Sequence, residues 1–352
     1  MSKSLTFKRL AYNNGCSMKI QEKTFNLPTD LASDEIIVKI SNAALNPVDL
    51  LLYHTSRYIF FKRGVKGVGR DFSGTVYATG SNISEYKEGD LVSGLYMPVY
   101  GEQGTIAQYL KLKPKENPMG KIPSTLSLQQ ASAFPLVFAT AVSILRKFHV
   151  PDENSRVLVI GGATSVGQYV LQLLKNHHHA KSIISVNSES SSSLTKSFGA
   201  DTVIDYNKQD VAQTALSLVQ NDFGGEKFDL IIDCVGNNDI FPVINYVLKP
   251  KTEKAGYVTI VGDQIADYNS SIFSFLKVAN LGFFSKMVPY FRSYNYGMVA
   301  TAEDFYPLAK KLFEENKLKV VIDSTFTWSD YEKAYEKLSA HKARGKIVLN
   351  FD

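Results

Sequence analysis

Between Arg156 and Gly167 the chain reads RVLVIGGATSVG, an unbroken apolar run, Val157–Ile160, that turns into glycines. Such a run suits a strand of a parallel sheet covered on both faces. Beyond it Val166, Val170, Leu173 and Leu174 recur at helical spacing, so one stripe of the following helix can pack back on that sheet. Further strand-like runs at Ile183–Val186, Thr202–Asp205, Leu230–Asp233 and Tyr257–Val261 are separated by stretches that hold helices. That alternation predicts a doubly wound α/β sheet. Ahead of it, short runs such as Glu35–Ile40, Phe72–Ala78 and Asp90–Tyr96 lie between glycine and proline turns and predict a β-rich region. At the far end a helix is expected over Ser329–His341, with Ser329 as N-cap and Glu332 closing a capping box, then a strand over Lys346–Asn350.

Composition narrows the classes without choosing a reaction. The 352 residues leave room for two domains, and 44% hydrophobic with 21% charged residues is ordinary for a globular chain. A net charge of +5 is too mild to propose nucleic acid as the main partner. Cys16 and Cys234 are far apart and in no metal spacing, which fits a reducing compartment. No stretch approaches membrane-spanning length, and an intracellular protein is expected.

The glycine turn is the first candidate site. Read as G-x-G-x-x-G it has Gly162 and Gly167, with Thr164 where the second glycine would stand. A helix N-terminus there presents unpaired N–H groups to a pyrophosphate, although an ordinary strand-to-helix turn would use the same glycines.

Six stretches in order, AALNPVDLLLY (Ala43–Tyr53), GRDFSGTVYATG (Gly69–Gly80), EGDLV (Glu88–Val92), GTIAQYL (Gly104–Leu110), ASAFPLVFATA (Ala131–Ala141) and the turn Gly161–Gly167, resemble the medium-chain dehydrogenase/reductase superfamily. The chain is most similar to its zinc-free, quinone-oxidoreductase-like branch. Asn46 and Arg70 stand where the alcohol dehydrogenase branch has a zinc-binding cysteine and histidine, and no metal is expected. The resemblance implies a Rossmann doubly wound parallel sheet inserted in a β-rich GroES-like domain. The domains are expected at 1–127 plus 286–352 (GroES-like, substrate) and 128–285 (Rossmann).

It also implies a nicotinamide cofactor held by Thr140, by Gly162, Ala163, Thr164, Ser165, Val166 and Gly167 of the turn, by Val235, Gly236 and Gly262 at later strand ends, and by Lys346 in the tail. For Lys346 a solvated terminal turn is the competing reading. An acidic residue at the end of the second strand selects NADH; Asn187 and Ser188 stand there instead, which favours NADPH. The run Ser188–Ser193 and Tyr206 would meet the 2′-phosphate, against Glu189 and the competing reading of a flexible loop.

With neither zinc nor an activated base in view, reduction is favoured over alcohol oxidation, since hydride transfer to a quinone or enone needs orientation and a donor to the conjugated oxygen. Asn46 is the candidate donor and Tyr53 a second; Asn46 is equally read as the cap of a helix starting at Pro47. Cys234 is read as a small buried residue, and His177–His179, pointing about 100° apart in turn, as a helix end rather than a metal site. Lys62, Arg63, Lys66 and Arg70, in a glycine-punctuated stretch, could greet an anionic ligand, and a solvated loop is the preferred reading.

The aromatic, basic-punctuated segment 271–296 is open to three readings: core or cleft lining, a subunit interface, or a lipid surface. GNNDIFPVINYVLKPK (Gly236–Lys251) and YVTIVGDQIADY (Tyr257–Tyr268) resemble a fungal subgroup associated with lipid droplets and mitochondria. The expectation is therefore an NADPH-dependent reductase of quinones, enones or lipid-derived electrophiles, dimeric through the Rossmann sheets with Tyr257–Val261 and its neighbours as the edge. The alternative is a catalytically idle, cofactor-binding adaptor on lipid droplets or in stress response.

Overall fold

The structure, a computed structural model, describes residues 3–14, 16–56, 58, 63–262, 295–298, 304–341 and 343–351. Lys62 and residues 271–294 of the aromatic segment lie outside the described residues. The described residues form two compact units, one running to Leu136 and resuming at Asp304, the other beginning at Val137.

The first unit is built from β1 (Lys3–Tyr12), β2 (Lys19–Leu27), β3 (Ile36–Ala44), β4 (Lys66–Gly67), β5 (Asp71–Thr79), β6 (Leu91–Leu95), β7 (Tyr109–Leu112) and β8 (Met119–Lys121), with helices α1 (Pro47–Ser56) and α2 (Leu128–Ala133). From the tail it takes β15 (Ile322–Thr327) and β16 (Lys346–Asn350), and two helices described below. Seven strands make its main sheet in the order β15-β16-β3-β5-β6-β8, with β7 also on β3; β2-β1-β4 form a smaller one. This is the β-rich GroES-like architecture. The tail strand enters by Val348 opposite Ala44 on β3, so residues 304 apart in sequence share one core.

The second unit holds the remainder of α3 (Pro135–Leu145), then β9 (Arg156–Ile160), α4 (Ser165–Leu173), β10 (Ser182–Asn187), α5 (Ser192–Ser197), β11 (Thr202–Asp205), α6 (Val211–Ser217), β12 (Leu230–Asp233), α7 (Ile244–Val247), β13 (Gly256–Thr259) and β14 (Asn295–Met298). All neighbours pair in parallel in the order β11-β10-β9-β12-β13-β14. This is the doubly wound Rossmann order, whose direction reverses between β9 and β12. All five residues of β9 are buried, as its apolar run required.

Several expectations are corrected. The division falls at 136 and not at 127, because α2 packs on β3, β5, β6 and β16 of the first unit. Residues 295–298 belong to the Rossmann sheet, since β14 pairs with β13. Beside Tyr257–Thr259 of β13 it is the neighbouring β14 that forms the edge among the described residues. The tail's two helices are α8 (Tyr306–Glu314) and α9 (Tyr331–Ser339). Ser329 lies inside a 3₁₀ turn, Trp328–Asp330, and does not cap α9, whose N-cap Asp330 makes no side-chain cap bond. A full capping box forms instead at Ser127 and Gln130, ahead of α2. The serine run is likewise no open loop, for it turns through Glu189–Ser191 into α5. No described helix is long and apolar enough to cross a membrane.

Helix α8 is seated by Tyr306, which is buried with its hydroxyl 2.7 Å from that of Ser93 on β6. Its ring covers Gly120 of β8 so closely that a Cβ on Gly120 would lie 2.3 Å from it. Gly120→Ala is therefore expected to lower stability by about 1–3 kcal/mol, read as a lower melting temperature; an unchanged melt would contradict this packing.

Candidate active site

In the second unit the turn after β9 is shaped by close approach. Gly161 has φ +82°, a Cβ on Gly162 would stand 2.1 Å from the Ser185 hydroxyl, and one on Gly167 would stand 2.3 Å from the Gly161 carbonyl. Only glycine lets α4 start this near the strand. Thr164 is the N-cap of α4: its hydroxyl accepts the Gly167 N–H at 3.1 Å and donates to the Gly161 carbonyl at 2.8 Å. Its side chain thus folds back on the turn. The N–H groups of Ser165 and Val166, at the first helical positions, have no intrahelical acceptor and are suited to a pyrophosphate.

The strand ends beside it carry the other predicted contacts. Val235 and Gly236 follow β12, the neighbour of β9, and Gly262 follows β13. Sequence reading missed what holds them. Asp233, fully buried at the end of β12, accepts the N–H groups of Val235 and Gly236 at 2.9 Å each, and the Tyr257 hydroxyl at 3.1 Å. The signal was an aspartate ending an apolar run just before a glycine turn. On β13, Thr259 takes the Gly262 N–H at 3.0 Å. Thr140 is buried on α3, and Cys234 is buried with its thiol pKa pushed far up, so it stays a neutral core group.

Asn187 and Asp205 lie in register on β10 and β11, so Ser188 and Tyr206 follow side by side. Asn187 itself is turned inward, its oxygen accepting the Ser185 hydroxyl at 2.6 Å and its nitrogen donating to the Ser188 carbonyl at 2.9 Å. Both amide atoms of Asn187 are thus engaged by its own strand and the turn that follows. Ser188 and Ser190 hydroxyls sit 3.1 Å apart, Tyr206 is exposed, and Lys208 lies 3.6 Å from Glu189. Lys208 is a cation that the sequence reading passed over because it stands in the next loop. His178 donates through Nδ1 to the Pro151 carbonyl, 3.0 Å away, while burial pushes its pKa down to about 4.

In the first unit Asn46 and Lys346 meet around Asp71. Asp71, 0% exposed, accepts the Leu136 N–H at 2.8 Å on one oxygen; on the other it accepts the Asn46 amide at 2.9 Å and the Lys346 ammonium at 3.0 Å. Lys346 also donates to the Asn46 oxygen at 2.5 Å. Two expectations change. Asn46, 0% exposed and bonded at both amide atoms, does not face a substrate, nor does its side chain cap α1; its backbone N–H is taken by Asp49 at 2.8 Å. Lys346 is neither solvated nor turned to a cofactor, since its ammonium is enclosed by this pair of acceptors. Tyr53 packs its ring edge-on against Tyr12, 5.0 Å between centroids, within the apolar cluster of Leu50 and Tyr335. Lys66 and Arg70, expected on a solvated stretch, are buried.

Comparison with known proteins agrees with both units. Residues 32–124 match the alcohol dehydrogenase GroES-like domain and residues 198–349 a zinc-binding dehydrogenase domain. The chain is 34% identical over 359 residues to protein YIM1-1 of Lachancea thermotolerans, covering 99% of each. Its fold is similar to the quinone oxidoreductase of Coxiella burnetii (TM-score 0.72, 22% identity, 99% and 100% covered). It is similar also to a mycobacterial protein complexed with NADPH (TM-score 0.73, 18% identity, 98% and 100% covered). The chain belongs to the medium-chain dehydrogenase/reductase superfamily.

Zinc, implied by the name of one matching domain, does not fit this member's residues. Where the superfamily's zinc ligands are expected stand an amide already bonded at both ends and the Arg70 guanidinium, a cation that repels a second one. Among the described residues no three His, Cys, Asp or Glu side chains gather in a metal-binding group.

Removing Asp71 would leave Lys346 buried without an acceptor. Asp71→Ala is expected to cost about 3–5 kcal/mol, with part of the loss recovered by adding Lys346→Met. Urea unfolding midpoints of the single and double variants measure it; strictly additive losses would contradict the coupling.

Proposed function

We propose that this protein is a zinc-independent, NADPH-dependent reductase of quinones, enones or related lipid-derived carbonyl electrophiles. The observation that carries the reading is the glycine turn at the point where strand order reverses, with Thr164 folded into its own cap so that the helix amides are left to an anion. Gly161–Gly167 would hold the pyrophosphate, and Ser188, Tyr206 and Lys208 the 2′-phosphate. Bound there, the nucleotide supplies the hydride. NADPH in a structurally similar mycobacterial protein, and the quinone oxidoreductase of Coxiella burnetii, support the choice. Absence of a zinc-compatible donor set favours reduction of a conjugated acceptor, because the charge formed spreads onto an oxygen that a side-chain cation can stabilise.

An idle adaptor is favoured by two departures from the family pattern, Thr164 and Leu51; the capping role of Thr164 accounts for the first. The test is the loss of NADPH absorbance with a panel of ortho- and para-quinones and 2-alkenals. Turnover with NADPH, and less with NADH, is expected; a protein that binds NADPH and reduces none of the panel overturns the reading. Lys208→Glu is expected to lower the preference for NADPH over NADH roughly tenfold, equivalent to one charge interaction near 1.4 kcal/mol. Apparent Kd values for both nucleotides decide it.

A further inference from the structure

One buried cluster remains without a task. A cavity of about 20 Å³ lies in the first unit, lined among others by Tyr12, Asp49, Arg70, Pro98, Tyr100 and Gln103. It has room for a single oxygen atom, as water or as part of a ligand. Of these Tyr12, Asp49 and Arg70 are buried, Tyr100 and Gln103 half-buried and Pro98 exposed.

Asp49 is 4% exposed, and while one carboxylate oxygen accepts the Asn46 N–H, the other, Oδ1, is buried with no partner. Arg70 is 9% exposed, and its guanidinium makes one hydrogen bond, to the Met97 carbonyl at 2.7 Å. The two charges attract, yet among the described residues they form no ion pair within 4 Å. Buried groups of opposite charge normally close on each other. Here both line a cavity of one oxygen's size, and both keep bonding capacity unused.

We propose that the oxygen of the electrophilic acceptor enters this cavity, where Arg70 stabilises the negative charge that develops on it and Asp49 gives it a proton. This rests on the reductase reading above. The bond changes balance: a bound reduced nucleotide would supply a hydride, with its electron pair, for an electrophilic carbon, and the conjugated π electrons would move onto the oxygen; there an O–H bond forms as the Asp49 O–H breaks, and solvent water returns the proton to Asp49. Arg70 thereby takes the task that a zinc ion performs elsewhere in the superfamily, in place of Asn46.

The charges around Asp49 agree. From β5 comes Asp71 and from β16 Lys346, which neutralise each other; α9 offers the Tyr335 hydroxyl and β1 that of Tyr12; Arg70 precedes β5. Arg70 is the cation left over, so with Asp49 protonated the cavity is net positive and suits an oxyanion. Burial, the largest cause, pushes the Asp49 pKa up to about 7, so the proton is held below neutral pH and lost above it.

The probe is 4-nitrophenol, whose ionisation is visible and needs neither nucleotide nor turnover. At the pH where half of the free phenol is ionised, wild type is expected to bind it mainly as phenolate, lowering its pKa by about one unit. Arg70→Met abolishes the shift, and Arg70→Lys, which keeps the charge and covers the case that the first variant fails to fold, retains part of it. With NADPH and a reactive quinone, Asp49→Asn lowers kcat roughly 100-fold with little change in KM, and removes the fall in kcat above about pH 7. Uptake without an Arg70-dependent shift, no uptake by wild type, or an unchanged pH profile in Asp49→Asn each overturns the proposal. A shift that depends on Arg70 in a protein that consumes no NADPH sinks the reductase reading and leaves the oxyanion site standing.

Discussion

One buried carboxylate holds the first unit in register. Asp71 has no contact with water, so its charge is tolerable only because three donors converge on it. Those donors come from the entry to α1, from the start of α3 and from β16, a strand more than 270 residues further along. Satisfying a single anion thus fixes the tail, the first helix and the chain's exit towards the second unit at once. A solvated terminus could not have supplied Lys346 at this place.

The same accounting explains the neighbouring residues. Since Lys346 and Asp71 neutralise each other, Arg70 and Asp49 are left as a second, unclosed pair beside a small cavity. Asn46 is consumed in bridging Asp71 to Lys346, which removes it from the list of groups that can meet a ligand. In the Rossmann sheet an acid acts in the same manner. Asp233 ties the turn after β12 by two short backbone bonds, and so the loop that faces the crevice is set by a residue that itself stays in the core.

Local order was visible where it depends on neighbours in sequence. The apolar runs gave β9, β10 and β12 within a residue of their ends, since a strand covered on both faces cannot hide its pattern. The glycines at 161, 162 and 167 declared a close approach whatever the partner. Ser329 and Glu332 satisfied the capping rule on paper and failed in the fold, because a 3₁₀ turn took the positions before α9. Ser127 and Gln130 satisfied the same rule and formed the box.

What the sequence determined alone was therefore the alternation of strands and helices, the phosphate-binding turn and the presence of an amide and a cation where relatives have zinc ligands. Tertiary structure decided which of those polar groups remain available. Asn46, Asn187 and Lys346 became internal links, while Arg70, visible in the sequence as the cation at a zinc-ligand place, came to share a cavity with Asp49. The reason is physical: hydrogen-bond capacity is used up by partners that are distant in the chain, and the order of residues does not state which partners will arrive.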